Sequence, residues 1–244
     1  MSTNQVALIT GASRALGLGV ATARLLAEQG YHVILTARDA AQAEAQASVL
    51  RAEGHSAEGW PLDLTDPDGP ARIADRLRTR HGHLDVLVNN ASCMPDGDTR
   101  SALEVDLGLA RIALETNVLG VWGLIQALRP ALAAAPLARV VNVSSAAAEQ
   151  IAAGADFPDP VRAPAHSLSK HLLNVLTATL AAAFRGTGIR VNAVDPGRVA
   201  THPERGDDAL DRSPAEAAAW VVWAATLPAD GPNGGVFLDG HRIA

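Results

Sequence analysis

His166 and Lys170 stand four residues apart in His166-Ser167-Leu168-Ser169-Lys170, so on a helix they share one face. An imidazole titrates near pH 6.5 and can give or take a proton at neutrality, which points to acid–base chemistry on a bound molecule. Upstream, Ser144-Ser145 follow the apolar run 140–143, and a serine hydroxyl there can hold a carbonyl oxygen by hydrogen bonding. A third group is glycine-rich: Thr10-Gly11-Ala12-Ser13-Arg14-Ala15-Leu16-Gly17-Leu18-Gly19 joins an apolar run to a helical pattern. Backbone N–H groups at such a turn can face a pyrophosphate, and glycine permits the close approach.

These groups need a frame. The apolar runs 6–9, 33–35, 86–88, 140–143 and 191–194 each read as a buried strand of a parallel sheet. Helical patterns lie between them, at 17–29, 40–53 and 167–184 among others. The alternation predicts one α/β domain over 1–244, a Rossmann-type doubly wound parallel sheet flanked by helices. Two loop-rich stretches, 154–164 (with Pro158, Pro160 and Pro164) and 202–214, follow strand ends, on the edge where doubly wound sheets bind ligands.

Composition removes other classes. With 244 residues, 48% of them hydrophobic, a sizeable core needs neither disulfides nor metal. A net charge of −6 without a basic stripe argues against nucleic acid as a partner. The single cysteine, Cys93, excludes a disulfide framework and suits a reducing compartment. Residues 1–10 lack the basic prelude of a signal peptide and no apolar stretch reads as long enough to span a bilayer, so a cytoplasmic protein without a membrane partner is expected. His171 points off the Lys170 face, and His81 and His83 read as a polar turn. No histidine pair has a carboxylate or cysteine partner at ligand spacing, so no metal site is expected. Cys93 and Met94 read as packing residues near the pocket.

The glycine turn resembles the TGxxxGxG motif of short-chain dehydrogenases/reductases, with Gly11 and Gly17 at its first and last glycines and Ala15 at the middle one. The resemblance runs along the whole chain. Asp63 in Leu62-Asp63-Leu64 matches the family's adenine-contacting acid, and Asn89-Asn90-Ala91-Ser92 resembles its NNAG motif with Ser92 in place of glycine. Asn117 in Thr116-Asn117-Val118 matches the asparagine that helps hold the active-site helix and a proton-relay water. Asp195-Pro196-Gly197-Arg198-Val199-Ala200-Thr201 resembles the PG motif against the nicotinamide, and 234–240 is similar to the ends of carbonyl-reductase-like members. The resemblance thus implies a cofactor held by Gly11, Ser13, Arg14, Leu16, Gly17, Arg38, Asp63, Leu64, Asn90, Ala91, Lys170, Pro196, Gly197, Val199 and Thr201. NAD-specific sites place an acid after the second strand, where this chain has Arg38; with Arg14 it suits a 2′-phosphate, so NADP(H) is the expected cofactor.

By the same resemblance the catalytic residues are Ser145, His166, Lys170 and Asn117, with His166 where the family reads tyrosine. The only tyrosine, Tyr31, lies far from that motif. Phenol becomes an anion that the lysine stabilises, whereas imidazole must become a cation beside an ammonium. At about 5 Å and an effective dielectric near 20 that repulsion costs roughly 3 kcal/mol. Three readings stay open: histidine replaces tyrosine as proton donor in the reduction of a small-molecule carbonyl; neutral imidazole acts as base in a cyclisation, isomerisation or dehydration; or the domain binds its cofactor without catalysis. The polar segment 202–211 suits an open cleft or a polar substrate, and a merely solvated loop would have the same composition. The long gap from Ser145 to His166 matches an insertion in carbonyl-reductase-like relatives, which in some covers the dimerising surface. The alanine-rich helices 118–135 and 168–184 suit the family's four-helix interface, and a homodimer is the expectation.

Overall fold

Val6–Ile9 is buried at every position, as a strand covered on both faces must be, and forms β1 of a parallel sheet. The computed structural model describes residues 5–154, 161–201 and 211–244. β1 pairs with β2 (His32–Ala37) on one side and β4 (Val86–Asn89) on the other. Outward lie β3 (Ala57–Pro61) beyond β2, then β5 (Ala138–Val143), β6 (Ile189–Asp195), β7 (Val236–Leu238) and the antiparallel β8 (His241–Arg242) beyond β4. The order is therefore β3-β2-β1-β4-β5-β6-β7-β8, the doubly wound arrangement expected from the alternating pattern.

Alternate strand residues feed two cores. Leu8, Ile34, Leu87 and Val140 pack with α3 (Gly69–Arg80), α5 (Gly120–Ala134) and α7 (Pro164–Ala183). Ile9, Leu35, Val88 and Val141 pack with α1 (Leu18–Glu28), α2 (Ala40–Ala52) and α8 (Pro214–Ala225). Short helices α4 (Leu107–Leu114) and α6 (Ala147–Ala152) complete the α-helices among the described residues.

The apolar runs underlie the strands but stop short of their ends, because ladder hydrogen bonds continue into polar residues such as Asn89 and Asp195. β3 and α3 carry no run that marks them: β3 is a two-residue core contribution, Ala57 and Trp60, on an edge strand. The stretches 154–164 and 202–214 are not loops to their ends. Pro164 opens α7, and Ser213 caps α8 in a capping box with Glu216, Pro214 following at the first turn. The prolines Pro158 and Pro160, and 202–210 of the substrate-side segment, lie outside the described residues.

One expectation fails. Leu107–Ala134 is a helical run long and apolar enough, by length and composition, to cross a membrane. Its inner face, Val121, Leu124, Ile125 and Leu128, is buried in the first core, so the apolar character is used in packing the sheet.

Candidate active site

The sheet reverses its winding between β1 and β4, and the loops leaving these two strands form a crevice. Gly11 has φ +68°, and a Cβ there would sit 2.7 Å from the Ala91 Cα, so the two loops approach at a distance only glycine allows. Thr10 Oγ1 accepts the N–H groups of Asn90 and Ala91, each at 3.0 Å, and Asn90 Nδ2 returns to the Thr10 carbonyl at 2.8 Å. This lattice holds open a cavity of about 700 Å³.

Of the residues the sequence assigns to a cofactor, Gly11, Ser13, Arg14, Arg38, Asp63, Leu64, Asn90 and Ala91 line that cavity. Arg38 is exposed on its wall and makes no ion pair with a described residue, whereas Arg14 Nη2 donates to the Thr201 carbonyl and ties the glycine turn to the loop after β6. Asp63 Oδ1 accepts from the N–H and hydroxyl of Thr65, which fixes the loop after β3. Leu16, Gly17, Lys170, Pro196, Gly197, Val199 and Thr201 do not line the cavity: Gly17 is the N-cap of α1, and Leu16 points to solvent. The wall also includes Cys93, Arg111, Ile112, Glu115 and Thr116; sequence reasoning placed Cys93 with packing residues near the pocket and Thr116 in the Asn117 motif, and missed Arg111, Ile112 and Glu115.

The proton chemistry gathers around the main chain of Cys93. Its carbonyl accepts from His166 Nδ1 at 3.0 Å and from Asn117 Nδ2 at 2.9 Å, while its N–H donates to Asn117 Oδ1 at 2.9 Å. Asn117 sits in a π turn, Glu115–Leu119, inserted between α4 and α5. The extra residue of a π turn turns a side chain inward that a regular helix would aim elsewhere. Asn117 Nδ2 also donates to Ser169 Oγ at 2.8 Å, and that hydroxyl donates to the His166 carbonyl, so α7 is clamped to the π turn.

Asp96, which the sequence did not single out, is buried and accepts the N–H groups of Ala165 at 2.7 Å and His166 at 3.3 Å. A carboxylate there satisfies the first-turn donors of α7 and complements the helix dipole. Lys170, one turn on, is buried and donates through Nζ to the Val143 carbonyl at 2.8 Å, which leaves the ammonium beside the end of β5. Ser145 follows that strand and accepts from the Ala147 N–H at 3.2 Å, in the turn into α6. His166, Asn117 and Ser169 thus form one bonded cluster with Cys93, while Lys170 is bonded to Val143 and Ser145 is carried on the neighbouring turn.

A carbonyl oxygen only accepts, so His166 Nδ1 carries the proton and Nε2 holds the lone pair when the ring is neutral. Burial first, then the Lys170 ammonium, pushes the His166 pKa down, against weaker support from the Cys93 carbonyl and Asp96. Burial likewise lowers the Lys170 pKa to about 8, with Asp195 opposing. Asp195 is pushed up by its own burial, although it accepts the Gly197 N–H at 2.9 Å.

His81 and His83 do have carboxylate partners. His81 closes α3 and lies 3.3 Å from Glu58, and His83 lies 3.3 Å from Asp85. Glu58 comes to His81 from β3, out of reach of any reading by sequence spacing, whereas Asp85 follows His83 by two residues.

A parallel doubly wound sheet with a glycine-lined crevice and a buried Lys–His cluster at its rim defines a dinucleotide-dependent oxidoreductase. The chain belongs to the short-chain dehydrogenase family, whose model matches residues 5–209; members are nicotinamide-dependent oxidoreductases acting on small molecules. It is 36% identical, over 82% of its length and 72% of the other chain, to the protein named as the ketoacyl reductase of the monensin polyketide synthase in Streptomyces virginiae. It is 40% identical to carbonyl reductase [NADPH] 1 of Sus scrofa over 59% of its length and 48% of that protein. Among solved structures, a metagenomic short-chain oxidoreductase in complex with NADP is 32% identical and superposes with a TM-score of 0.78 over 96% of both chains.

Proposed function

We propose that the protein reduces the carbonyl group of a small molecule with NADPH, His166 standing in for tyrosine as the proton-exchanging group. The observation that carries this reading is the Cys93 carbonyl, which fixes His166 at Nδ1 and leaves Nε2 as the nitrogen able to exchange a proton. A dinucleotide fits the crevice, because the Gly11 backbone approaches where a Cβ would clash and the wall carries an exposed arginine, Arg38, without an acidic partner among the described residues. Gly11, Ser13, Asn90 and Ala91 would hold the phosphates, Asp63 and Leu64 the adenine, Arg38 with Arg14 the 2′-phosphate, and Lys170 with the 195–201 loop the nicotinamide end. When bound, the cofactor supplies the hydride.

In this scheme Ser145 holds the carbonyl oxygen, protonated His166 delivers a proton to it from Nε2, and the ring returns to its neutral form. Run backwards, neutral Nε2 takes the proton of an alcohol. The named activities of the pig and Streptomyces relatives and the cofactor of the metagenomic one support the carbonyl and NADP(H) readings. The lone pair on neutral Nε2 favours a second reading, in which the same ring is the base of a cyclisation, isomerisation or dehydration. We also propose a homodimer, supported by exposed Leu119 and Trp122 on one, and Leu168, Leu172 and Val175 on the other, of the two helical runs that suit a four-helix interface.

The test is NADPH oxidation against a broad panel of ketones and quinones. Ser145→Ala should remove most turnover and leave NADPH affinity nearly unchanged. NADPH binding without oxidation by any carbonyl would sink the reductase reading, and full activity in Ser145→Ala would move the chemistry elsewhere.

A further inference from the structure

A second cluster of ionisable groups lies at the opposite end of the sheet. His32 opens β2, Glu58 is the second residue of β3, and His81 caps the C-terminus of α3. Nε2 of His32 and Nε2 of His81 each lie 3.3 Å from the same oxygen, Glu58 Oε1. All three candidate donor atoms fall within 4.8 Å of one another. Both ring nitrogens are buried and neither makes a hydrogen bond. Two buried nitrogens aimed at one carboxylate oxygen without a well-formed hydrogen bond are costly unless a proton or a metal cation joins them.

The surroundings fix this arrangement. His32 Nδ1 is 2.7 Å from Ser56 Oγ, the outer contact that orients a ligating imidazole and, with the proton on Nδ1, leaves Nε2 its lone pair. Glu58 Oε2 is held by Trp60 Nε1 at 2.9 Å and Arg80 Nε at 3.1 Å, so Oε1 is the oxygen turned to the rings. The imidazoles face each other at 4.7 Å, and His81 rests on Trp60 at 5.9 Å. Burial pushes both histidine pKa values down and keeps the rings neutral, the form that binds metal.

We propose that His32, Glu58 and His81 bind one divalent transition-metal ion of the Zn²⁺ type through Nε2, Oε1 and Nε2, with water in the fourth place. Tetrahedral bonds of about 2.0–2.2 Å set ligand atoms about 3.3–3.6 Å apart, and both nitrogen–oxygen separations already meet that spacing. Two imidazoles and a carboxylate favour Zn²⁺, Co²⁺ or Ni²⁺ over Mg²⁺ and Ca²⁺, which require mostly oxygen ligands. The side chains are 13%, 19% and 15% exposed in chain order, enough for an ion to enter. The Arg80 guanidinium reduces the site's negative charge, so exchangeable binding is expected. The ion would pin the sheet edge to α3, remote from the cofactor crevice.

Chelator-treated and desalted protein should take up one Zn²⁺ per chain by calorimetry, and Co²⁺ should give the intense visible bands of a four-coordinate site. His81→Gln and Glu58→Gln, each checked for folding by circular dichroism, should weaken Zn²⁺ at least about tenfold and abolish the Co²⁺ bands. His32→Gln serves if either fails to fold. Absence of saturable Zn²⁺ binding in the wild type, or unchanged affinity in any folded variant, overturns the proposal.

Discussion

His166 Nδ1 and the carbonyl oxygen of Cys93 lie 3.0 Å apart, and that one hydrogen bond decides which ring nitrogen can do chemistry. Burial, then Lys170, lowers the pKa of the ring below the ordinary histidine value. Proton donation needs imidazolium, whose fraction grows only as pH falls below the ordinary histidine value. NADPH-dependent reduction should therefore rise from pH 7 towards pH 5, and alcohol oxidation should fall over the same range. His166→Tyr should raise reduction at pH 7 and His166→Phe should abolish it, both read from steady-state rates. A flat profile between pH 5 and 7 would remove His166 from the proton step.

Asp96 supports that histidine through the backbone of α7 and through charge. Asp96→Ala should cost about 1–2 kcal/mol in denaturant unfolding, the usual loss for a helix-start acceptor. Asp96→Asn retains much of the bonding but removes the charge that raises the His166 pKa. Its acid limb of activity should move to lower pH, a change that a purely structural role would not produce.

Lys170 is an ammonium buried at a cost. Its pKa near 8, against an ordinary lysine value, means the folded state releases the proton more readily than the unfolded chain. The penalty is full below pH 8 and fades as pH rises towards 10. Lys170→Met removes it and leaves the Val143 carbonyl without its donor, so the net gain at pH 7 should be on the order of 1–2 kcal/mol. Thermal unfolding should show the variant more stable at pH 7, with the gap closing by pH 10, while turnover collapses.

Arg38 stands exposed on the cavity wall with no acidic partner among the described residues. NADPH should bind at least about tenfold more tightly than NADH in fluorescence titrations. Arg38→Asp should narrow or invert that preference, because it exchanges attraction for repulsion at the 2′-phosphate. Equal affinities in the wild type would refute the assignment.

The sequence alone determined what depends on short spacing. The glycine turn, the four-residue interval from His166 to Lys170, and the alternation of apolar runs with helical patterns are local signals. Local backbone geometry converts them into a tight glycine turn, one helix face and a doubly wound sheet. Edge elements escaped: β3 has too little buried surface to leave a run, and the ends of both proline-bearing stretches proved to be helix starts. Only the tertiary structure decided the rest. Asp96 meets the start of α7 across 69 and 70 residues, and Asn117 reaches Ser169 across 52, through a π turn that no periodicity announces. His81 gains Glu58 and His32 because the starts of β2 and β3 lie beside the end of α3. Those contacts fix which nitrogen of His166 is free and how far Lys170 is desolvated. Proton affinity depends on burial and on neighbours brought by packing, which residue order does not encode locally.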